Sequence, residues 1–394
     1  MLFARRNRKI NILFIIMQME MGGSERLVHS LVRNIDRNRF SPSVAWFFGQ
    51  TPLPEFRELE VPLFHIQKSK RVDLNAMYKL SDFIKKHNVT VVNAHHFMSM
   101  VYASWGCIRN GAKLFYTEHS SWEIEKINRR WTIAGRQLLR KANGAIGVSE
   151  NVSITLRKYF HLPYEKSYTI PNGIDLEVFS RKDDSQVRQE LGLESNQISI
   201  CMVANFKKVK NHIYLLRGFE ALSRNNNNVR LLLIGKSVPD GEGDTEHEIR
   251  TFISSHGMER KVLMLGFQHN VARLLGAVDI FCLTSLKEGL PIGLIEAMAA
   301  GCAVIGTDVE GIRDVIIPEQ NGLLVPLGET QVLVGSLERL AGDRKLRSKL
   351  GQAARNTAIQ HFSIEACVKA HENLFEAAFS SGELVPVAVK GKSL

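Results

Sequence analysis

The chain has 394 residues, 44% of them hydrophobic and 23% charged, which excludes a disordered or collagen-like polymer and suits two domains with a core each. No window approaches the roughly eighteen uninterrupted apolar residues of a membrane-spanning helix, and Cys107, Cys201, Cys282, Cys302 and Cys367 form no CxxC pair, which argues against a zinc site or a disulfide framework and fits a reducing cytoplasm. The net charge of +11 is lopsided: residues 1–160 hold 25 Lys/Arg against 12 Asp/Glu, or +13, and the remainder 26 against 28, or −2.

Arg5, Arg6, Arg8 and Lys9 precede the apolar run Ile10–Met17, as in a secretory leader. Gln18, Glu20 and Gly22-Gly23 follow in place of a small-residue cleavage site, so the run reads as a first buried strand. Further strands are expected at Ser43–Phe48, Val89–Ala94, Lys113–Thr117, Ala145–Val148 and Tyr168–Ile170. The helical patterns between them are Glu25–Ile35, Ala76–His87, Met98–Arg109, Trp131–Lys141 and Val152–Phe160. The second half repeats the theme. Its strands are Ile198–Val203, Arg230–Ile234, Val262–Leu265, Ile280–Leu283 and Ala303–Gly306, and its helices His212–Ser223, Glu246–His256, Val271–Ala277, Pro291–Ala300 and Gln331–Ile359. Short apolar strands joined by helical crossovers predict parallel sheets covered on both faces, the doubly wound α/β class.

The divide is expected near Asp175–Asn196, where Pro171-Asn172-Gly173 closes a strand and the polar run Arg181–Ser185 follows. This gives an N-terminal domain over 1–178 and a C-terminal domain over 179–360. In 361–394 the helix Ile364–Ser380 has no strand left to cover and is expected to return to the first domain, and a frayed tail follows from Val385. The basic excess of the first half is densest at Arg5–Lys9, Arg33–Arg39, Lys68–Arg71, Lys126–Arg130 and Arg136–Lys141. Such a field attracts an anionic partner. The runs lack the interleaved aromatics of a nucleic-acid module, so no nucleic acid is expected. An anionic membrane surface fits better, with Trp122, Trp131 and Ile133 beside Arg129-Arg130 available to dip into it.

The densest motif is Glu288–Gly301, directly after the strand Ile280–Leu283. Pro291 suits a first helical position, and the amides of a helix start bind anions such as phosphate. Glu296 lies five residues past Pro291, about 7.5 Å along the axis. With Glu288 it offers two carboxylates spaced to accept from hydroxyls on either side of a diphosphate. For a lone pair of glutamates the plainer reading is a helix-start acid and a solvated side chain.

The rest of the chain tips the balance, because over nearly its whole length it resembles family 4 of the glycosyltransferases. Glu288 and Glu296 match the E-x7-E signature in its frame of small residues, Ala297-Met298-Ala299-Ala300-Gly301. Thr307–Gly311, Asn321–Val325, Pro171–Asp175 and Gly22–Glu25 match further segments in order. The family's basic phosphate clamp falls on Val203–His212. Lys210 occupies the lysine position, and Asn205 stands where the family has arginine, leaving Lys207 or Lys208 to supply the second charge.

The resemblance implies a GT-B fold, two Rossmann-like doubly wound domains facing a central cleft. It implies a retaining, metal-independent hexosyltransferase that needs no cofactor beyond its UDP- or GDP-linked donor sugar. The acceptor would be a glycan or lipid-linked, in polysaccharide or glycolipid biosynthesis of the cell envelope. The protein would be cytoplasmic, peripheral on the inner face of the membrane. Glu288 would bind the donor sugar and Glu296 the ribose. Lys208, Lys210 and the amides near Gly22-Gly23 and Gly289-Leu290-Pro291-Ile292 would hold the diphosphate, with Asn205 in the same loop. His119 would position the donor sugar, and Gly266-Phe267 would contact the base. His95 and His96 are acceptor-side candidates. No Asp-x-Asp motif follows a strand, in keeping with charge neutralisation by cations and amides and with no metal site. Two other readings compete: a sugar-nucleotide epimerase on a similar scaffold, and an inactive nucleotide-sugar-binding subunit.

Overall fold

The computed structural model describes residues 9–20, 22–49, 51–68, 72–179, 185–237 and 243–380. Residues 5–8 and 69–71 of the basic runs, 181–184 of the polar stretch and the tail from Val385 lie outside them. The chain forms two compact units that divide at Gly173/Ile174 and again at Ser363/Ile364. The two crossing segments lie side by side: Ile174 bridges Ser363, and its N–H donates to the Phe362 carbonyl at 2.9 Å. This pairing fixes the boundaries a few residues from 178/179 and 360/361.

The first unit contains, in chain order, β1 (Ile10–Gln18), α1 (Gly23–Asn34), β2 (Phe40–Phe48), α2 (Pro54–Arg57), β3 (Leu63–His65), α3 (Leu74–Lys86), β4 (Val91–His95), α4 (Phe97–Asn110), β5 (Lys113–Glu118), α5 (Ser121–Glu125), α6 (Arg129–Lys141), β6 (Gly144–Gly147), α7 (Glu150–Phe160) and β7 (Ser167–Thr169). Its seven strands are all parallel, in the order β3-β2-β1-β4-β5-β6-β7. Helix starts follow the capping rules: the side chains of Asp73, Asn128 and Ser149 accept from amides in the first turns of α3, α6 and α7. Strand β3 has only three residues, too few for a periodic signal, and no strand was expected there.

The second unit contains α8 (Ser185–Glu190), β8 (Ile198–Val203), α9 (His212–Asn225), β9 (Val229–Ile234), α10 (Thr245–Ser255), β10 (Val262–Gly266), α11 (Val271–Gly276), β11 (Ile280–Leu283), α12 (Ile292–Ala299), β12 (Ala303–Thr307), α13 (Glu310–Arg313), β13 (Leu323–Val325), α14 (Thr330–Gly342) and α15 (Arg344–His361). Its parallel sheet runs β10-β9-β8-β11-β12-β13. The single helix expected over Gln331–Ile359 is two, broken at Asp343. That residue is extended (φ −111°, ψ 97°), and its carboxylate caps α15 through the Leu346 amide at 2.9 Å. The Gly342-Asp343 pair carries the signal, a poor helix former followed by a good N-cap.

The last helix, α16 (Ile364–Ser380), packs on the first unit. Ile364, Cys367, Val368, Leu374, Phe375 and Ala378 join a core with Ile10, Ile12, Phe14 and Ile16 of β1 and with Leu27, Val28, Leu31 and Val32 of α1. Phe375 sits edge-on to Phe14, with centroids 6.4 Å apart, and Arg39 bridges Glu372 and Glu376. Among the described residues no helix is long and apolar enough to cross a membrane.

Candidate active site

Open parallel sheets bind ligands outside the carboxyl ends of their strands, at the point where strand order reverses. That point lies between β8 and β11 in the second unit and between β1 and β4 in the first. The clustered polar side chains sit at these two places.

In the second unit, the chain leaving β8 makes a tight turn over Lys208–Lys210, and Asn211 adopts a left-handed conformation (φ 52°) before α9. The chain leaving β11 runs through Thr284, Ser285 and Glu288 to α12. The two loops are tied together: Leu286 N–H donates to the Val209 carbonyl at 2.8 Å, and Thr284 Oγ1 to the Asn211 carbonyl at 3.0 Å. This brings Lys210 Nζ to 2.6 Å from Glu288 Oε1, the oxygen that also accepts from Ser285 Oγ at 2.6 Å. Glu288 is buried, and Lys210 keeps about a quarter of its side chain exposed (25%). A buried carboxylate with two donors on one oxygen is held in a single orientation. Gly311, at the start of α13, lets the next loop close over this one. A Cβ there would come within 2.6 Å of the carbonyl oxygens of both Glu288 and Gly289.

Glu296 is buried on α12. Pro291 takes the N-cap of that helix, one residue before the position expected of it. Its carbonyl accepts from Leu294 and Ile295, leaving the Ile292 and Gly293 amides to open the helix. Asn205 is exposed just past β8. Lys208 turns away from Glu288 toward α10, with Nζ 3.7 Å from Glu248 and both side chains about half exposed. Gly266 ends β10 at φ 66°, where glycine is favoured. Phe267 is exposed next to it, with Lys236 Nζ 5.3 Å from its ring centroid. So the structure joins Lys210 to Glu288, and the contacts of Lys208 lie with α10. Ser285, Thr284 and Lys236 are contributors that the motif reading missed, and Gly311 entered it only as the end of the Thr307–Gly311 segment. The Thr-Ser pair directly after a strand was the available signal for the first two.

The first unit's switch gathers a serine, three histidines and two buried acids, with His96 Nδ1 3.8 Å from Glu118. Gly22 caps α1, and a Cβ there would meet Glu25 Oε2 at 2.7 Å, while Gly23 is unobstructed. Ser24 Oγ donates to Glu25 Oε2 at 2.8 Å and lies 3.0 Å from His96 Nε2, linking the loop after β1 to the loop after β4. His96 has φ 69°, a left-handed backbone uncommon outside glycine. The His95 ring lies 2.9 Å from that of His119, whose backbone N–H donates to the buried Glu118 at 2.7 Å. Tyr116 Oη donates to the other Glu118 oxygen at 2.5 Å. Burial holds His95 and His119 well below the ordinary imidazole pKa and raises that of the Glu25 carboxyl. Glu25 and Glu118 escaped the motif reading, which took only the glycines from Gly22–Glu25 and only the histidine from the end of β5.

Residues 183–357 match the family of glycosyl transferases group 1, and residues 21–178 match Glycosyltransferase Family 4. This chain is a family 4 glycosyltransferase. It is 27% identical over 326 residues, 81% of this chain and 83% of the other, to N-acetyl-alpha-D-glucosaminyl L-malate synthase of Bacillus anthracis. It is 26% identical, over 58% of each chain, to the Escherichia coli UDP-Gal:alpha-D-GlcNAc-diphosphoundecaprenol alpha-1,3-galactosyltransferase. The crystal structure of Anabaena HepE in complex with UDP superposes with a TM-score of 0.83 at 20% identity, covering 93% of this chain and 100% of that one. The glycosyltransferase thus has the GT-B fold, and the epimerase reading falls away.

Proposed function

We propose that this glycosyltransferase moves a hexose from a UDP- or GDP-linked donor, held by the second unit, to a glycan or lipid-linked acceptor. The observation that carries the reading is the Lys210–Glu288–Ser285 cluster across the β8/β11 switch. It sets an oriented carboxylate for sugar hydroxyls beside an ammonium for the leaving diphosphate, at the start of a helix whose amides favour an anion. UDP is the favoured nucleotide, because it appears with HepE and in the name of the galactosyltransferase. Glu296 would take the ribose, Gly266 and Phe267 the base, and His119 the sugar. The amides near Gly22 and Gly23 and around Gly289–Ile292 would face the diphosphate.

The reaction is read as retaining. The bond from the anomeric carbon to the diphosphate breaks, the acceptor oxygen bonds to the same face, and its proton passes to the departing phosphate oxygen. No side-chain base and no metal are required. Isothermal titration with UDP, GDP, UDP-galactose and UDP-N-acetylglucosamine in EDTA tests the reading. Micromolar binding of one nucleotide and its sugar, weakened in Glu288→Gln for the sugar form alone, is the expected result. Binding that appears only with Mg²⁺ or Mn²⁺, or no nucleotide binding, refutes it.

The acceptor is read as lipid-linked, at the cytoplasmic face of a membrane, in cell-envelope polysaccharide or glycolipid synthesis. Support comes from the undecaprenol acceptor named for the galactosyltransferase and from the surface of the first unit. On α6, Arg129, Arg130 and Ile133 are exposed, whereas Trp122 and Trp131 are partly buried, Trp131 edge-on to Phe97. On α3 and α4, Leu74, Tyr78, Trp105 and Ile108 are exposed, with Arg109 over both aromatic rings. Aromatic and aliphatic tips among cations suit an anionic lipid interface. Binding to anionic liposomes should fall with salt and with Arg129→Glu/Arg130→Glu. Equal recovery on neutral and anionic liposomes at low salt would favour a soluble acceptor.

A further inference from the structure

Three side chains behind His119 form a continuous line. Asn93 Nδ2 donates to Thr117 Oγ1 at 2.8 Å, Asn93 Oδ1 meets His95 Nε2 at 2.9 Å, and His95 Nδ1 meets His119 Nε2 at 2.9 Å. The strand geometry builds this. Asn93 and His95 are two apart on β4 and so point to one face, and parallel pairing sets His95 beside Thr117 of β5.

A neutral imidazole has one N–H and one lone pair. In the structure the Asn93 amide turns Nδ2 to Thr117 Oγ1 and its oxygen to His95, and an oxygen only accepts. His95 Nε2 must therefore carry the hydrogen. His95 is fully buried, and among the described residues no carboxylate hydrogen-bonds to it. His96 comes from its own loop and Phe14 from β1, and His371 comes from α16 with Nδ1 committed to the Cys367 carbonyl at 2.9 Å. The buried Glu118 addresses His119 through its backbone N–H and lies 3.8 Å from Nδ1 of His96, outside the line itself. His95 thus stays neutral and Nδ1 is a lone pair, so the hydrogen in the His95–His119 bond belongs to His119 Nε2.

We propose that Asn93 and His95 are positioning residues that hold His119 as the Nε2–H tautomer, leaving Nδ1 as an acceptor for a hydroxyl of the donor sugar. The sugar contact rests on the donor reading above. In this state His119 has no proton to give at Nδ1. It favours a sugar presenting a hydroxyl there and gives nothing to a deoxy or fluoro analogue at the same carbon.

Two measurements test this. Long-range ¹H–¹⁵N correlation on ligand-free, ¹⁵N-histidine-labelled protein at neutral pH reads the tautomer directly, with His119→Phe assigning the signal. The wild type should show His119 as Nε2–H alone, and His95→Phe and the near-isosteric Thr117→Val should show both tautomers. A wild-type His119 that is Nδ1–H or doubly protonated overturns the proposal, as does a pure Nε2–H signal in His95→Phe. The wild-type spectrum decides even where a variant fails to fold. In titrations, His95→Phe should leave UDP affinity unchanged and weaken UDP-galactose, or UDP-N-acetylglucosamine if that is the sugar bound, about tenfold, the equivalent of one hydrogen bond. Unchanged affinity for the sugar form in His95→Phe overturns the sugar contact. If the wild type binds no nucleotide, the donor reading fails, and the spectrum still decides the tautomer.

Discussion

Across the switch of the second unit, between β8 and β11, lies an ion pair, Lys210 with Glu288. Across that of the first, between β1 and β4, Ser24 meets His96, and beside it, on β4 and β5, a line of neutral groups runs from Thr117 to His119. Yet the first unit carries the basic excess: residues 1–160 have a net charge of +13. On α3, α4 and α6 its cations Lys85, Lys86, Arg109, Arg129 and Arg130 are exposed. The difference teaches where charge does chemistry in this fold. A departing diphosphate needs a cation and amides already in place, and the second unit has them. On the proposal above, a hydroxyl-bearing ligand meets in the first an acceptor whose tautomer the line of Asn93 and His95 sets. The excess charge is left for a surface.

The sharpest way to break this contrast is to remove the charge of the second unit. Glu288→Ala is expected to lower kcat/KM on the order of a thousandfold, and Lys210→Ala about a hundredfold. Lys210→Ala leaves the buried Glu288 carboxylate without its cation, a cost of about 3–5 kcal/mol in stability, whereas the Lys210 ammonium left by Glu288→Ala still reaches water. Glu288→Gln is the cleaner test. It keeps a group for Ser285 and Lys210 to meet and should still lose most of the rate, read as release of nucleoside diphosphate with a calorimetric check of folding. A Glu288→Gln enzyme at full speed would mean that the ion pair is structural.

Both units also bury a histidine away from the candidate roles, and acid sets the units against each other. Burial lowers the pKa of His371, in the first unit, to about 4 and that of His212, in the second, to about 3. When unfolded, each takes up a proton near pH 6.5 that the folded form refuses. The stability linked to each is therefore fully present above pH 6.5 and drains as pH falls toward those values, by about 1.4 kcal/mol per pH unit. His371→Phe should flatten the acid limb of the first unit by roughly 3 kcal/mol between pH 6.5 and 4, and His212→Phe that of the second by somewhat more. Urea unfolding across that range checks it, and parallel pH slopes for wild type and variants would refute the linkage.

The fold was legible because hydrophobic strands of four to nine residues alternate with amphipathic helices, and buried parallel sheets need that pattern. What escaped was short or depended on capping, such as the three residues of β3 and the break at Asp343. Of the candidate site, Glu288, Glu296 and Lys210 could be named from spacing and resemblance. Ser285 and Asn93 could not, because each matters through a partner distant in sequence or set by the loop: Ser285 needs Glu288 to fold back onto it, and Asn93 needs Thr117 and His95 across a strand pair. Lys208 reads in sequence as the neighbour of Lys210, but on a tight turn the two side chains part, one to Glu248 and one to Glu288.

A smaller effect is expected at Glu296, where the comparison narrows to one carboxylate on a buried helix. If it accepts from two ribose hydroxyls, Glu296→Ala should weaken UDP about tenfold and Glu296→Gln about threefold, since an amide oxygen replaces only part of a carboxylate. Titration with UDP alone isolates this from the sugar. Equal affinity in wild type and Glu296→Ala would remove the ribose role and leave Glu296 as a packing residue of α12.

The smallest effect is expected at Lys208, and it separates a charge that touches the diphosphate from one that only contributes to the field. Lys208 is about half exposed and 3.7 Å from Glu248, which is similarly exposed. Such a pair is worth at most about 1 kcal/mol and leaves the lysine free to respond to an anion at a distance. Lys208→Ala should therefore weaken UDP by no more than about threefold at 0.15 M salt, and the difference should disappear near 1 M, where screening acts within about 3 Å. Lys210, held beside Glu288 with a quarter of its side chain exposed, is screened less, and its effect should persist at both concentrations. Affinities of the two variants at two salt concentrations decide the matter. A tenfold loss in Lys208→Ala that persists at high salt would show that this lysine leaves Glu248 and binds the diphosphate directly, supplying the cation that Asn205 does not.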